Sequence, residues 1–177
     1  MDVENDFKAP DNPEEGLESR PPTLQDLVDL CRRLNETGAR YVVIGGFAII
    51  EAGLPRTTMD IDLLIDSSRE NEACVFHALE GLPDKAVREL QPGDIARYVV
   101  VRIADEIVVD LMHSACGIDY AEGSLDMVTR EVGGVPIPFA SPRLLWRTKV
   151  RTHREKDHAD LVFLREYFSQ RGEQPPD

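Results

Sequence analysis

Two aspartates, Asp60 and Asp62, share one short apolar stretch downstream of a glycine pair, in the sequence GGFAIIEAGLPRTTMDIDLLID. In a β-strand, residues i and i+2 point to the same face, so both carboxylates would project side by side while Ile61 points the other way. Placing two like charges together is unfavourable unless a cation or hydrogen bonds compensate for the repulsion. Because carboxylate oxygens suit hard divalent cations, the pair predicts a site for Mg²⁺ or Mn²⁺.

Other residues could supply the remaining parts of a metal-assisted phosphoryl or nucleotidyl transfer. Gly45-Gly46 separates a predicted strand from a predicted helix, where a phosphate could approach the backbone near a helix N-terminus. Asp110 lies within the apolar sequence IVVDLM, and a charge in such a strand needs a partner. If that strand pairs beside the Asp60 strand, the three carboxylates can converge on one or two metal ions.

Each of these patterns also has a purely structural explanation. A glycine pair between a strand and a helix is common without a phosphate, the DID sequence could be an exposed strand edge or a turn, and Asp110 could be a strand-end aspartate. The combination is the stronger signal, because each pattern independently supplies a part that the same reaction needs.

The elements that must position these residues can be read from periodicity and caps. Helices are predicted from Thr23, from Phe47 to Ala52, from a capping box at Ser67 and Glu70 to about Leu79, from Ser141-Pro142, and from about Arg154 to Phe168. Strands are predicted at Tyr41–Ile44, Met59–Ile65, Lys85–Leu90, Arg97–Ile103, Glu106–Met112, Met127–Val132 and Val135–Phe139, with tight turns near Ala104-Asp105 and at Gly133-Gly134. This order predicts an α/β fold with a mixed β-sheet covered by helices.

The composition indicates one domain with polar tails. The 177 residues fit a folded domain at 23–170, with disordered tails at 1–22, which is acidic, and 171–177. A formal net charge of -13 argues against a broad basic surface for nucleic acid or an anionic membrane, although it allows a local basic groove. Three widely spaced cysteines, no basic-apolar leader and no long apolar stretch predict a cytoplasmic protein without a membrane span.

The set Gly45-Gly46 … Arg56-x-Thr58-x-Asp60-x-Asp62-Leu63, with a later Asp110, resembles the signature of the DNA polymerase beta-like nucleotidyltransferase superfamily. More narrowly, the chain is similar to small AbiEii-type toxin nucleotidyltransferases. Their C-terminal pattern resembles Lys149 … Arg154-x-Lys156-Asp157-x-x-Asp160-Leu161, which spans two helices. The resemblance covers roughly residues 24–167, and it implies a nucleotidyltransferase fold with a C-terminal helical pair.

The resemblance also implies a role for each matching residue. Asp60 and Asp62 would hold the metal ions that bridge an NTP such as ATP, and Asp110 would hold the second metal and help to activate the acceptor hydroxyl. Gly45 and Gly46 would receive the β and γ phosphates, and Lys149 would face the phosphates as a counter-charge. Arg56 and Thr58 would shape the approach to the strand, with Arg56 also a candidate for a phosphate contact.

Several functional alternatives remain open from the sequence. The basic cluster at Arg147, Lys149, Arg151, Arg154 and Lys156 could face a triphosphate, or it could be a solvated helix face paired with Asp157 and Asp160. The acceptor could be a tRNA end, a protein or a small molecule, and a toxin would have an antitoxin-type partner. A catalytically silent binding module, acting as an antitoxin or as a nucleotide or metal sensor, is the competing class.

Overall fold

A six-stranded mixed sheet forms the centre of the molecule. The structure, a computed structural model, describes residues 18–177. Its strands are β1 (Tyr41–Ile44), β2 (Asp60–Ile65), β3 (Val101–Ala104), β4 (Val108–Met112), β7 (Met127–Val132) and β8 (Val135–Ala140), while β5 (Ser114–Ala115) and β6 (Ile118–Asp119) form a separate two-stranded ribbon. In spatial order, the strands of the large sheet are β3-β4-β2-β1-β8-β7.

The sheet is parallel at β2–β4 and β1–β8, and antiparallel at β1–β2, β3–β4 and β7–β8. Strand β2 shows the alternation that the sequence predicts, because Ile61 and Leu63 are fully buried while Asp60 and Asp62 are partly exposed on the other face. The predicted α/β fold with a mixed sheet is confirmed.

Helices cover this sheet. They are α1 (Leu24–Glu36), α2 (Gly45–Ala52), α3 (Arg69–Leu79), α4 (Asp94–Arg97), α5 (Tyr120–Gly123), α6 (Pro142–Lys149) and α7 (His158–Gln170). Helix α1 packs against α3 and β8, α2 packs against β2 and α6, and α6 packs against α7 as the predicted C-terminal pair. Within residues 18–177, no helix is both long and apolar enough to cross a membrane.

Two of the helix starts follow directly from capping chemistry. Thr23 and Asp26 form a reciprocal capping box at α1, with the Asp26 N–H donating to Thr23 Oγ1 at 3.2 Å. At α6, the Ser141 side chain accepts from the Leu144 N–H, and Pro142 occupies the first turn, as predicted. The start of α3 differs from the prediction, because the cap is Ser68, whose Oγ accepts from the Asn71 N–H.

Three predicted elements are wrong in part, each for a tertiary reason. Residues Lys85–Leu90 are not a strand but contain a 3-10 helix, Ala86–Glu89, because the buried Asp105 carboxylate accepts the Ala86 N–H. The strand predicted from Arg97 begins only at Val101, since Arg97 ends α4. The last helix begins at His158 after a separate 3-10 turn, Glu155–Asp157.

The predicted tails lie partly outside the described residues. Residues 1–17 of the predicted acidic tail are not described, whereas Ser19 and Arg20 contact the turn between β3 and β4. The Arg20 N–H donates to the Glu106 carbonyl at 2.9 Å, and Ser19 Oγ donates to the Asp105 carbonyl at 2.6 Å. The domain boundaries at 22 and 170 stay a prediction.

Candidate active site

Strand register brings the three predicted carboxylates together. Asp62 on β2 and Asp110 on β4 are direct neighbours across a parallel pair, and Asp60 lies two residues before Asp62 on the same face. One oxygen from each carboxylate lies within 4.8 Å of the other two. Strand β2 is an interior strand between β4 and β1, so the DID sequence is not an exposed edge of the sheet.

This cluster concentrates negative charge in a small space, where Asp110 is nearly buried and Asp60 and Asp62 are only partly exposed. Burial and the neighbouring Asp60 and Asp110 carboxylates raise the pKa of Asp62 to about 7, although Lys149 and Lys156 act in the opposite direction. The raised pKa reflects the cost of a buried negative charge beside two other carboxylates, and a bound cation would offset that cost.

Arg102 on β3 is a site residue that sequence reasoning missed. Its Nε donates to Asp110 Oδ1 at 2.9 Å, and its Nη2 donates to Asp110 Oδ2 at 2.7 Å and to Asp60 Oδ2 at 3.2 Å. Arg102 is opposite Asp110 in the β3–β4 register. The only local signal was an arginine in the alternating sequence VRIA of a strand next to the Asp110 strand.

Gly45 and Gly46 allow neighbouring side chains to approach the backbone closely. Gly45 has φ +66°, and a Cβ there would overlap the Asp62 carboxylate. A Cβ at Gly46 would overlap the Thr58 hydroxyl. Helix α2 begins at Gly45, two residues before the predicted start at Phe47, so the glycine pair is the first turn of the helix rather than a separate turn. Thr58 Oγ1 donates to the Asp60 carbonyl at 3.1 Å.

Lys149 is held by buried acids at the end of α6. Its Nζ lies 3.0 Å from Asp157 Oδ1 and 3.0 Å from Asp160 Oδ2, and all three side chains are nearly fully buried. The ion pairs with Asp157 and Asp160 that the alternative interpretation expected are therefore present at Lys149, but they are buried rather than solvated. Arg56 also binds Asp160, with Nε 3.0 Å from Oδ1 and Nη2 donating to Oδ2 at 3.0 Å. Hydrogen bonds from Thr152, Lys149 and Arg154 lower the pKa of the Asp157 carboxyl against the effect of burial.

These residues surround one cleft of about 600 Å³. All of the site residues predicted from the sequence line it, namely Gly45, Gly46, Arg56, Thr58, Asp60, Asp62, Asp110 and Lys149. Arg102, Arg154 and Lys156 line it as well. Lys156 forms no ion pair with any residue of the described part of the chain, so its charge is available to an anion in the cleft.

The cluster fits a hard divalent cation. Its donors are carboxylate oxygens from Asp60, Asp62 and Asp110, which are the ligands that Mg²⁺ and Mn²⁺ prefer. The guanidinium of Arg102, itself a cation, lies on two of these three carboxylates. Because these carboxylates already bind one positively charged group, they are suited to the divalent metal ion that the sequence predicts.

A family profile decides the relationship to known proteins. Residues 23–174 match a family described as nucleotidyl transferase of unknown function (DUF2204). The chain belongs to this family. The nucleotidyltransferase activity that the sequence predicted is confirmed at this level, while the narrower likeness to AbiEii-type toxins stays a prediction. No curated protein sequence matches the chain.

Solved structures of other nucleotidyltransferases share this fold. A proposed nucleotidyltransferase from Thermotoga maritima, TM1012, is 18% identical with a TM-score of 0.55, over 83% of this chain and 92% of its own. The lincosamide antibiotic adenylyltransferase LnuA, in a lincomycin-bound structure, is 16% identical with a TM-score of 0.52, over 82% and 98%. An antigenic nucleotidyltransferase-like protein from Paracoccidioides brasiliensis is 19% identical with a TM-score of 0.50, over 81% and 76%.

Proposed function

We propose that this nucleotidyltransferase moves a nucleoside monophosphate from a Mg²⁺-bound NTP to a hydroxyl group. The observation that carries the proposal is the convergence of Asp60, Asp62 and Asp110 beside Gly45 in a single cleft that also contains lysine side chains. Phosphoryl chemistry of this kind depends on positioning and on charge stabilisation, and these residues supply both.

The three carboxylates would hold the metal, and a bound Mg²⁺ would neutralise phosphate charge as the reaction proceeds. Lys156, whose ammonium group is unpaired among the described residues, would attract the triphosphate from solution. Lys149 would act from a fixed position, because Asp157 and Asp160 hold its ammonium group at the wall of the cleft. The first turn of α2, which begins at Gly45, would present backbone N–H groups to the phosphates.

The proposed reaction forms one P–O bond and breaks another. The acceptor hydroxyl oxygen attacks the α-phosphorus, and the bond between that phosphorus and the bridging oxygen to the β-phosphate breaks, releasing pyrophosphate. The hydroxyl proton passes to a carboxylate oxygen of the cluster, for which Asp110 is our candidate, because it lies directly beside Asp62 and is nearly buried.

The proposal specifies the acceptor only as a molecule that carries a hydroxyl group. An RNA end, a protein side chain and a small molecule each carry a suitable hydroxyl. The formal net charge of -13 disfavours a large RNA, because a polyanion would be repelled by most of the surface. LnuA, which has the same fold, is an adenylyltransferase of a small antibiotic, so a small-molecule acceptor is the form of the proposal to test first. We also propose that the protein acts as a toxin with an antitoxin-type partner, and that it is located in the cytoplasm.

The proposal is tested by label transfer. The purified protein is incubated with Mg²⁺, each α-³²P-labelled NTP in turn and a cell lysate, alongside Asp62→Asn. We expect label on an acceptor with the wild-type protein and a loss of at least 100-fold with D62N, since one carboxylate of the metal site is gone. The Asn side chain has the same shape and removes one of three repelling charges, so D62N should remain folded by circular dichroism.

The matched control is Asp29→Asn, which neutralises an exposed carboxylate on α1 that contacts Arg32 and Gln25 of the same helix. D29N should transfer label as the wild type does. Binding of the Mg-NTP complex without transfer to any acceptor would support the silent binding module instead. A wild-type protein that binds no NTP would refute both the enzyme and the nucleotide sensor.

A further inference from the structure

Arg102 places a positive charge of the protein directly on the carboxylates that the proposed function assigns to the metal. Its guanidinium makes a two-point contact with Asp110 and reaches Asp60 with the same Nη2 atom. It therefore occupies two of the three carboxylates that would bind the cation. A divalent metal ion on the same carboxylates would be repelled by this guanidinium, so the two cations compete for Asp60 and Asp110.

The contact between Arg102 and Asp110 can break easily, because the arginine side chain is exposed to solvent. The Arg102 side chain is 59% exposed, whereas the Asp110 side chain beneath it is 7% exposed. Strand β3 is at the edge of the sheet, and its burial alternates so that Arg102 and Ala104 face outward. A long, exposed arginine can leave the cluster by side-chain rotation alone, and the backbone of β3 and β4 need not move.

The two lysines of the cleft are arranged differently from Arg102. Lys149 is buried and bound to Asp157 and Asp160 rather than to the metal carboxylates. Lys156 lines the cleft without an ion pair among the described residues. Among these three cationic side chains, Arg102 alone combines direct contact with the carboxylates and a route into solvent.

We propose that Arg102 is a competing cation, which neutralises Asp60 and Asp110 in the metal-free protein and must leave before a divalent metal binds them. The inference rests on the proposed function, because it needs the metal site at these carboxylates. Its consequence is that the wild-type protein binds the metal alone weakly. Once released, the guanidinium lies at the rim of the same cleft, where it can pair with a phosphate of the incoming NTP.

The experiment is a Mn²⁺ titration without nucleotide, followed by the electron paramagnetic resonance signal of free Mn²⁺. We expect Arg102→Gln to bind Mn²⁺ at least about fivefold more tightly than the wild type. About fivefold is the smallest change in affinity that coupled binding events typically produce. Arg102→Lys, which keeps the charge but loses the two-point contact, should fall between them. Circular dichroism verifies the fold of each variant.

The matched control is Lys156→Gln, which removes an equal charge from the same cleft without touching a carboxylate. If K156Q tightens Mn²⁺ binding as much as R102Q does, the effect comes from the overall electrostatic potential of the cleft, and the competing-cation role is refuted. An R102Q affinity equal to that of the wild type also refutes it. If in that case D62N still abolishes Mn²⁺ binding, the metal site of the proposed function survives. No Mn²⁺ binding by wild type or R102Q would overturn both proposals.

Discussion

At the scale of single residues, the site depends on how closely a carboxylate can approach a backbone. Asp62 points over Gly45, where a Cβ would lie only 2.7 Å from its Cγ atom. The same glycine has a positive φ, which is unfavourable for other residues. Gly45 therefore serves the site first by making space for Asp62, and its proposed contact with phosphate comes in addition.

We expect Gly45→Ala to lose both stability and label transfer. The positive φ alone costs about 1–2 kcal/mol for an alanine, and the overlap with Asp62 must be relieved by moving that carboxylate. The matched control is Gly38→Ala, because Gly38 has φ +72° and open space at its Cβ position. Urea unfolding should show a loss for both variants, whereas label transfer should fall only for G45A. Equal transfer by the two variants would show that the approach to Asp62 is unimportant.

At the scale of elements, strands β2, β3 and β4 and helices α2 and α6 all contribute residues to the cleft. The register places Asp62 of β2, Asp110 of β4 and Arg102 of β3 in one row across the sheet. On the other wall, a buried ion network joins Lys149 at the end of α6 to Asp160 in the first turn of α7. Arg56, from the segment before β2, binds the same Asp160. This network fixes the helical pair against the strand that carries the two aspartates.

We expect Asp160→Asn to destabilise the protein by about 3–5 kcal/mol, as breaking a buried ion pair does, because Lys149 and Arg56 then share less negative charge. The control Asp29→Asn breaks an exposed pair with Arg32 and should change the free energy of unfolding by less than about 1 kcal/mol. Urea unfolding measures both values. Similar small losses for the two variants would mean that the network does not hold the helical pair.

At the scale of the whole molecule, the segment before α1 ties distant parts of the chain together. Arg20 donates to both carboxylate oxygens of Asp26 on α1 and to Glu106 in the β3–β4 turn. The hydrogen bonds from Arg20 are the largest cause that lowers the pKa of Asp26 well below its usual range. Because the folded pKa is depressed, this stabilisation is complete above the unfolded value and is lost as the pH falls.

We expect Arg20→Gln to be less stable than the wild type at pH 7, and the difference should shrink below about pH 4, where an unfolded aspartate becomes protonated. Urea unfolding at pH 7, 4 and 3 tests this, with Arg32→Gln as the control because the ion pair of Arg32 within residues 18–177 is with Asp29 on the same helix. A difference between wild type and R20Q that stays constant over this range would rule out the Asp26 carboxylate as its source.

The turn between β3 and β4 differs from the one that local sequence patterns predict. A two-residue turn at Ala104-Asp105 would put Asp110 opposite Val99, whereas the actual register puts it opposite Arg102. The difference arises because Asp105 points inward, and its buried carboxylate accepts the N–H groups of Asp84, Ala86 and Glu106. A contact with residues about twenty positions earlier set the hairpin register, and local turn preferences could not reveal it.

By itself, the sequence determined the pieces that depend on neighbouring residues: the shared face of Asp60 and Asp62, the glycine pair at the start of α2, the caps of α1 and α6, and the mixed α/β fold. These follow from periodicity and local hydrogen bonding. Only the tertiary structure decided that Asp62 pairs with Asp110, that Arg102 covers the cluster and that Lys149 is buried between two acids. Strand register and side-chain burial depend on contacts between residues far apart in the chain, which no local pattern specifies.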